Sequence, residues 1–291
     1  MTTSSGTLRA LVMSSRPISW VNTAFPFGAA YALAHGGMDV RGVVGILFFL
    51  IPYNLLMYGV NDVFDYESDL HNPRKGGVEG ILLDRRLHRL TIWAAILLPL
   101  PFVAYLVAVG DAAANLMLAA SLFMVVAYSA PKLRFKERPF LDSMTSSFHF
   151  VSPAVYGVLL AGLRPDLTVW LALLAYYLWG MASHAFGAVQ DVTADRAGGI
   201  GSVATVIGAR ATVRFALALY LVAGALLRFL DWPWSLAALL VLPYAGMVLP
   251  FLNITDETSE DANRGWRRFL WINYVVGFLL TQLLILGSMR G

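Results

Sequence analysis

The sequence contains no cysteine among its 291 residues. Disulfides, thiolate nucleophiles and cysteine-ligated metals are therefore excluded. Charge is scarce as well. Asp, Glu, Lys and Arg make up 13% of the chain, and 58% of it is hydrophobic; a soluble domain carries about 25% charged residues. Low-complexity segments and linker-like stretches are missing, so nothing marks a second domain. The first residues, MTTSSGTLRALVMSSRP, lack an apolar core followed by a small-residue cleavage site. They read as a cytoplasmic leader, not a signal peptide.

Apolar runs recur from end to end. Segments 18–35, 42–61, 90–109, 112–130, 144–163, 167–190, 211–229, 234–252 and 269–288 each have about the 20 residues needed to cross a bilayer. The expected fold is all-α: one polytopic membrane domain over 1–291, a bundle of nine transmembrane helices. The seventh segment is the least apolar, with Arg214 and Arg228 placed near its ends to snorkel.

Basic residues set the orientation. The leader and the loops after even-numbered spans hold 17 of the 21 Lys and Arg. This split predicts a cell-membrane protein with a cytoplasmic N-terminus and an outer C-terminus. The net charge of +3 reflects topology and does not argue for nucleic-acid binding. The long loops, about 62–89, 131–143, 191–210 and 253–268, all fall on the cytoplasmic side, which is where the chemistry and the opening of its cavity are expected.

Three polar groupings stand out. In NDVFDYESDLHNPRKGG, residues 61–77, Asn61, Asp65 and Asp69 are spaced i, i+4, i+8, and Asp62 neighbours Asp65 at i+3. On a helix running to about Pro73 they form one oxygen-rich stripe. Such ligands suit Mg²⁺, which prefers carboxylates, water and substrate phosphate; a solvated helix end is the plainer alternative. AVQDVTADRAGGIGS repeats the pattern, with Asp191 and Asp195 at i, i+4 after another even-numbered span. Two acidic helix ends at one membrane face repel unless divalent cations lie between them, an arrangement suited to holding a diphosphate. The third grouping, YSAPKLRFKERPF, places Tyr128 and Lys132 after the fourth span. Lys132 offers a point charge to a phosphate or simply obeys the positive-inside rule. Arg134, Lys136 and Arg138 read as topology charges.

Together these stretches resemble the UbiA superfamily of intramembrane prenyltransferases. The resemblance rests on Asn61-Asp62-x-x-Asp65-x-x-x-Asp69, Tyr128-x-x-x-Lys132 and Asp191-x-x-x-Asp195 with its DRAGGIGS continuation, and covers nearly the whole chain. It implies nine transmembrane helices and Mg²⁺-dependent transfer of an isoprenyl group from its diphosphate to an acceptor. It assigns Asn61, Asp62, Asp65, Asp69, Asp191 and Asp195 to metal and diphosphate, and Tyr128 and Lys132 to diphosphate. Within the superfamily, RPISWVNTAFPFGAAYAL, YNLLMYGVNDVFDYESDLHNPRKGG and HAFGAVQDVTADRAGGIGSVATVIGARATVRFA look most like bacterial lycopene elongases of C50 carotenoid synthesis, which add dimethylallyl units to lycopene.

Ionising an allylic diphosphate calls for preorganised positive charge at the leaving group. Asp65, Asp191, Lys132 and His184 are the expected catalytic residues. Arg74, Lys75 and Arg196 are offered as phosphate helpers or as topology charges. The allyl cation needs a dry, aromatic surrounding. Counting back along the helices places Asn54 and Tyr58 on the face of Asn61, and His184 on that of Asp191. These three and His149 are expected at the acceptor pocket; helix–helix hydrogen bonding is the alternative for the polar ones. His184 and pyrophosphate are rival bases for removing a proton after C–C bond formation. No intramembrane Lys or Arg is evident for a hydroxybenzoate or quinone precursor, which favours a lipophilic acceptor. The expected partners are an isoprenyl diphosphate, that acceptor and membrane lipids; the residues name no partner subunit. An aromatic prenyltransferase acting on a quinone or tetrapyrrole, and more remotely a transporter or ion channel, are the alternatives.

Overall fold

The computed structural model describes residues 4–70 and 81–289. Among them every regular element is helical. After an N-terminal helix, Ser4–Ser14, come α1 (Val21–His35), α2 (Val40–Phe64), α3 (Arg85–Val109), α4 (Ala112–Ser129), α5 (Leu141–Leu160), α6 (Leu167–Val189), α7 (Ala209–Leu227), α8 (Trp234–Phe251) and α9 (Ser259–Ser288). The expected spans fall on these helices, with ends shifted by a few residues. The last begins earlier than hydropathy suggests, because Arg264, Arg267 and Arg268 lie within its first turns.

Seven helices among the described residues are long and apolar enough to cross a membrane: α2, α3, α4, α6, α7, α8 and α9. This differs from the nine expected. Helix α1 has 15 residues, below the length that identifies a span by itself. Helix α5 has 20 residues, but Asp142, His149 and five serines and threonines dilute its hydropathy.

Helix starts follow side-chain chemistry. Asp39, Asp84, Asp111 and Asp166 cap α2, α3, α4 and α6, each accepting a backbone N–H of the first turn at 2.9–3.0 Å. These caps satisfy amides that a helix cannot pair internally.

The chain forms two compact units, Met1–Arg134 with His149–Arg164, and Phe135–Phe148 with Pro165–Gly291. The first is built on aromatic rings. Phe27, Tyr31, Phe48, Phe49, Tyr53 and Tyr156 are fully buried, and Phe27–Phe49 and Phe49–Tyr53 approach to 5.1 and 5.0 Å between centroids. Gly157 lets α5 meet the backbone of α1; a Cβ there would lie 2.7 Å from the Phe27 carbonyl oxygen. The second unit packs small residues against small residues. Ala175, Ala182 and Ala185 of α6 and Ala209, Ala216 and Ala223 of α7 are buried, as expected where helices associate by close backbone approach. Large apolar side chains remain outside, Leu116, Trp170, Trp271 and Phe278 among them, which suits contact with lipid.

Helix α2 is irregular where its motif lies. It breaks at Ile51 (φ −119°, ψ −60°) before Pro52 and winds as a π-helix over Leu55–Gly59. Proline has no N–H to donate and disfavours helical backbone before it. The freed carbonyls are satisfied laterally: Thr23 Oγ1 donates to Phe49 O at 2.7 Å, and Asn54 Nδ2 donates to Phe49 O, Leu50 O and Thr23 Oγ1 at 2.7, 3.1 and 2.7 Å.

Candidate active site

The first acidic group closes α2. Asp62 and Asp65 are buried, 1% and 8% exposed. The helix stops at Asp65 (φ −99°, ψ 3°) and resumes as a short turn, Tyr66–Asp69. This corrects the expectation of one unbroken helix to Pro73. Asp191 does the same in the second unit: α6 ends at Val189, Asp191 has φ −102° and ψ −2°, and Val192–Ala197 follows. Both D-x-x-x-D sequences thus start at a helix break, on an aspartate in the same sparsely populated backbone region, one in which active-site residues are often found.

Asn61 Oδ1 accepts the Ser129 hydroxyl at 2.8 Å. Asp62 Oδ1 accepts Arg16 Nη2 at 3.3 Å, and the same guanidinium lies 4.3 Å over the Tyr58 ring. Asp65 Oδ1 is 3.6 Å from Arg134 Nη2. Each described carboxylate of the motif therefore faces an arginine. Sequence reasoning read Arg16 and Arg134 as topology charges. The signal for both was proximity in the fold, over 46 residues for Arg16 and Asp62, which spacing does not reveal.

Tyr128 meets His149 edge to face, 5.0 Å between centroids at 81°, and the Tyr53 hydroxyl donates to the His149 carbonyl at 3.3 Å. Lys132 is exposed in a loop where Lys132, Arg134 and Phe140 all have positive φ, 72°, 38° and 68°. Strain of this kind persists where the surroundings hold the backbone in place.

Two expected site residues also make structural contacts. Asn54, counted onto the Asn61 face, patches the helix break described above; the π-turn between them adds a residue to the winding and spoils the count. Arg196, expected as a phosphate helper or a topology charge, clamps two loop segments together. Its Nε and Nη2 donate to Thr205 O at 3.0 and 2.9 Å, and Nη1 pairs with Asp256 Oδ2 at 2.5 Å. Asp256 Oδ1 also accepts Ala209 N–H at 2.7 Å. These contacts, the Ala209 N–H first, hold the Asp256 carboxyl below its usual range. Arg74, Lys75 and the Asp69 side chain lie outside the described residues.

On α6, His184 Nδ1 is 3.2 Å from the Ser143 hydroxyl. Beside it Asp142, fully buried, accepts Val203 N–H at 2.8 Å. Sequence reasoning missed Asp142, although an acidic residue entering a span is itself a signal.

Among the described residues no three His, Asp or Glu side chains converge as a ready-made cation site. The donors are nevertheless of the right kind for Mg²⁺: hard carboxylate and amide oxygens, at two buried or half-buried helix ends. Asp62 and Asp65 each lie against an arginine, so this helix end attracts positive charge.

The UbiA prenyltransferase family profile matches residues 23–273. The chain is 56% identical over 281 residues to the C(50) beta-cyclic carotenoids biosynthesis protein LbtBC of Dietzia sp., covering 96% of this chain and 65% of that protein. It is 52% identical to a lycopene elongase/hydratase of Corynebacterium glutamicum, covering 96% of this chain and 97% of that one. Its fold matches a UbiA homolog from Archaeoglobus fulgidus bound to DMAPP and Mg²⁺, with a TM-score of 0.67 at 16% identity over 92% of this chain and 98% of that one. An apo UbiA homolog from Aeropyrum pernix gives 0.66 at 18% identity, over 94% and 98%.

Proposed function

The chain belongs to the UbiA prenyltransferase family, and from that premise we propose that it transfers dimethylallyl groups from their diphosphate to lycopene or a carotenoid much like it. It does so as one nine-span membrane domain whose cavity opens to the cytoplasm. The observation that carries the reading is the repeated D-x-x-x-D, each copy opening on an aspartate at a helix break. The acceptor is supported by the 52–56% identity to proteins of C50 carotenoid synthesis.

Asn61, Asp62, Asp65, Asp69, Asp191 and Asp195 would hold Mg²⁺, which when bound supplies positive charge to the leaving diphosphate. Lys132 and Tyr128 orient that diphosphate, with Arg74 and Lys75 as further phosphate contacts. The bond from the allylic carbon to oxygen breaks and the electron pair leaves with the diphosphate. The allyl carbon then bonds to a terminal alkene carbon of the acceptor. The resulting tertiary cation is quenched by loss of an adjacent proton or by capture of water; a relative named lycopene elongase/hydratase supports the second route beside chain extension. Tyr58 and His149 line the acceptor side, and His184 is the proton-accepting group.

Expression in a lycopene-accumulating host tests this directly. Carotenoids longer by one and two five-carbon units are expected, and chelation of divalent cations in membranes is expected to stop their formation until Mg²⁺ is restored. Unchanged lycopene, with prenylation of a supplied quinone precursor instead, would move the assignment to an aromatic acceptor.

A further inference from the structure

The start of α7 carries two arginines that neither the candidate active site nor the Arg196 clamp uses. Arg210 and Arg214 stand one turn apart and line the same open cleft of about 530 Å³, together with Ile207, Ala211, Ile254 and Asp256. Small-molecule sites occupy about 300–1,000 Å³, so the cleft is large enough to hold a ligand. It lies where α7 begins, at Ala209, and just past the end of α8, at Phe251. Exposed Val206 and Leu249 flank it along the chain. All of its walls belong to the second compact unit.

Positive charge is uncompensated here. Like charges at i, i+4 repel, and the N-terminal end of a helix dipole disfavours cations as well. Among the described residues neither arginine forms an ion pair, and the carboxylates nearby are occupied. Asp256 Oδ1 accepts Ala209 N–H at 2.7 Å and Oδ2 pairs with Arg196 at 2.5 Å. Glu257, the next residue, accepts a hydrogen bond from the Thr255 side chain. Arg214 is held by neutral oxygens alone, donating from Nε to Leu252 O at 3.3 Å and from Nη2 to Asn253 Oδ1 at 3.4 Å. Three of its five N–H donors are left. Arg210 is exposed. The positive-inside rule asks for basic residues near a span; it does not ask for two on one helix face above one cleft.

Paired guanidinium groups match the oxygens of a phosphate, which they hold through forked hydrogen bonds. The apolar wall of Ile207, Ala211 and Ile254 beside them suits an amphiphile better than a free ion. We propose that Arg210 and Arg214 bind the phosphate of an anionic phospholipid headgroup where α7 meets the membrane surface. A headgroup held there joins the start of α7 to the segment after α8, through Arg214 and its contacts with Leu252 and Asn253. Because it binds the folded chain, it stabilises that chain by mass action. The proposal does not depend on prenyl transfer or on the identity of the acceptor.

The test titrates the purified full-length protein in detergent with short-chain phosphatidylglycerol. Bound lipid is read by native mass spectrometry and the melting temperature is followed alongside. The parent is expected to bind saturably and to melt at a higher temperature when loaded. The double variant Arg210→Gln/Arg214→Gln should bind about tenfold or more weakly, since each arginine near an anionic lipid contributes several-fold. Arg210→Gln alone should show a several-fold loss, and it supplies the readout should the double variant fail to fold. Arg267→Gln/Arg268→Gln removes the same charge from exposed positions near the start of α9 and should keep the parent affinity. Short-chain phosphatidylcholine, whose phosphate carries its own cation, should bind at least tenfold more weakly than phosphatidylglycerol. Inorganic phosphate at matched concentration should not compete. Equal losses in the two double variants would assign the binding to net charge and overturn the proposal. Equal binding of the two lipids, or an unchanged affinity in Arg210→Gln, overturns it as well. Competition by inorganic phosphate would make this a site for soluble phosphate and overturn the lipid assignment.

Discussion

At the scale of the residue, the same charge serves different ends according to what it faces. Asp65 and Asp191 share a backbone conformation at two helix ends. Asp65→Asn and Asp191→Asn are each expected to cut product formation by about 10²–10³-fold, the cost of losing one preorganised electrostatic contact, while the protein still inserts; carotenoid analysis beside an immunoblot checks both. Arg196, one residue after the second motif, has contacts that serve stability. With both Thr205 O and Asp256 engaged, Arg196→Ala should lower the melting temperature by the equivalent of about 1 kcal/mol, reduced by exposure. The KM for the prenyl diphosphate should stay near the parent's. Asp256 makes the same clamp pH-dependent. Its folded carboxyl is depressed, so its contribution is complete above the unfolded value of about 4 and is lost as pH falls through the lower folded value. Melting curves from neutral to acid pH should show a steeper loss in the parent than in Asp256→Asn.

At the scale of the element, α2 shows why a functional helix is not a regular one. The Pro52 break exposes carbonyls inside a fully buried shell, and Asn54 and Thr23 satisfy them. Asn54→Leu should therefore destabilise the protein by about 1–3 kcal/mol, the cost of leaving buried carbonyls without donors, measured by thermal unfolding in detergent. Helix α5 is constrained for a different reason. A Cβ on Gly157 would press on the Phe27 carbonyl, and backbone cannot swing away as a side chain can, so the small residue is what permits the close approach.

At the scale of the whole molecule, the charge asymmetry predicts which face lies inside. The cysteine-free sequence makes this simple to test with single introduced thiols. Cysteine at Met38, an exposed position before α2, is expected to react with an impermeant thiol reagent in intact cells. Cysteine at exposed Glu260, at the start of α9, should react only after the membrane is opened. The opposite pattern would invert the topology. Helices α1 and α5 fall short of the length and apolarity that identify spans by themselves. Both contribute buried residues, Phe27 and Tyr31 from α1 and Tyr156 from α5, so protein contacts and not lipid alone hold them.

Helical class, the approximate ends of most spans and the two acidic motifs were legible in the sequence, because hydropathy and residue spacing are local properties of the chain. The interruptions at Ile51, at Leu55–Gly59 and at Asp65 were less so, since a periodic count assumes the regular winding that they break. The partners of Asp62, Asp65, His184 and Arg196 were not legible at all. Arg16, Arg134, Ser143 and Asp256 approach them from positions at least 41 residues away along the chain, and which charge meets which is decided by packing. The sequence alone determined that this chain is a membrane bundle with two aspartate motifs. Only the tertiary structure decided which polar groups meet one another, because a hydrogen bond depends on distance and direction and the order of residues encodes neither.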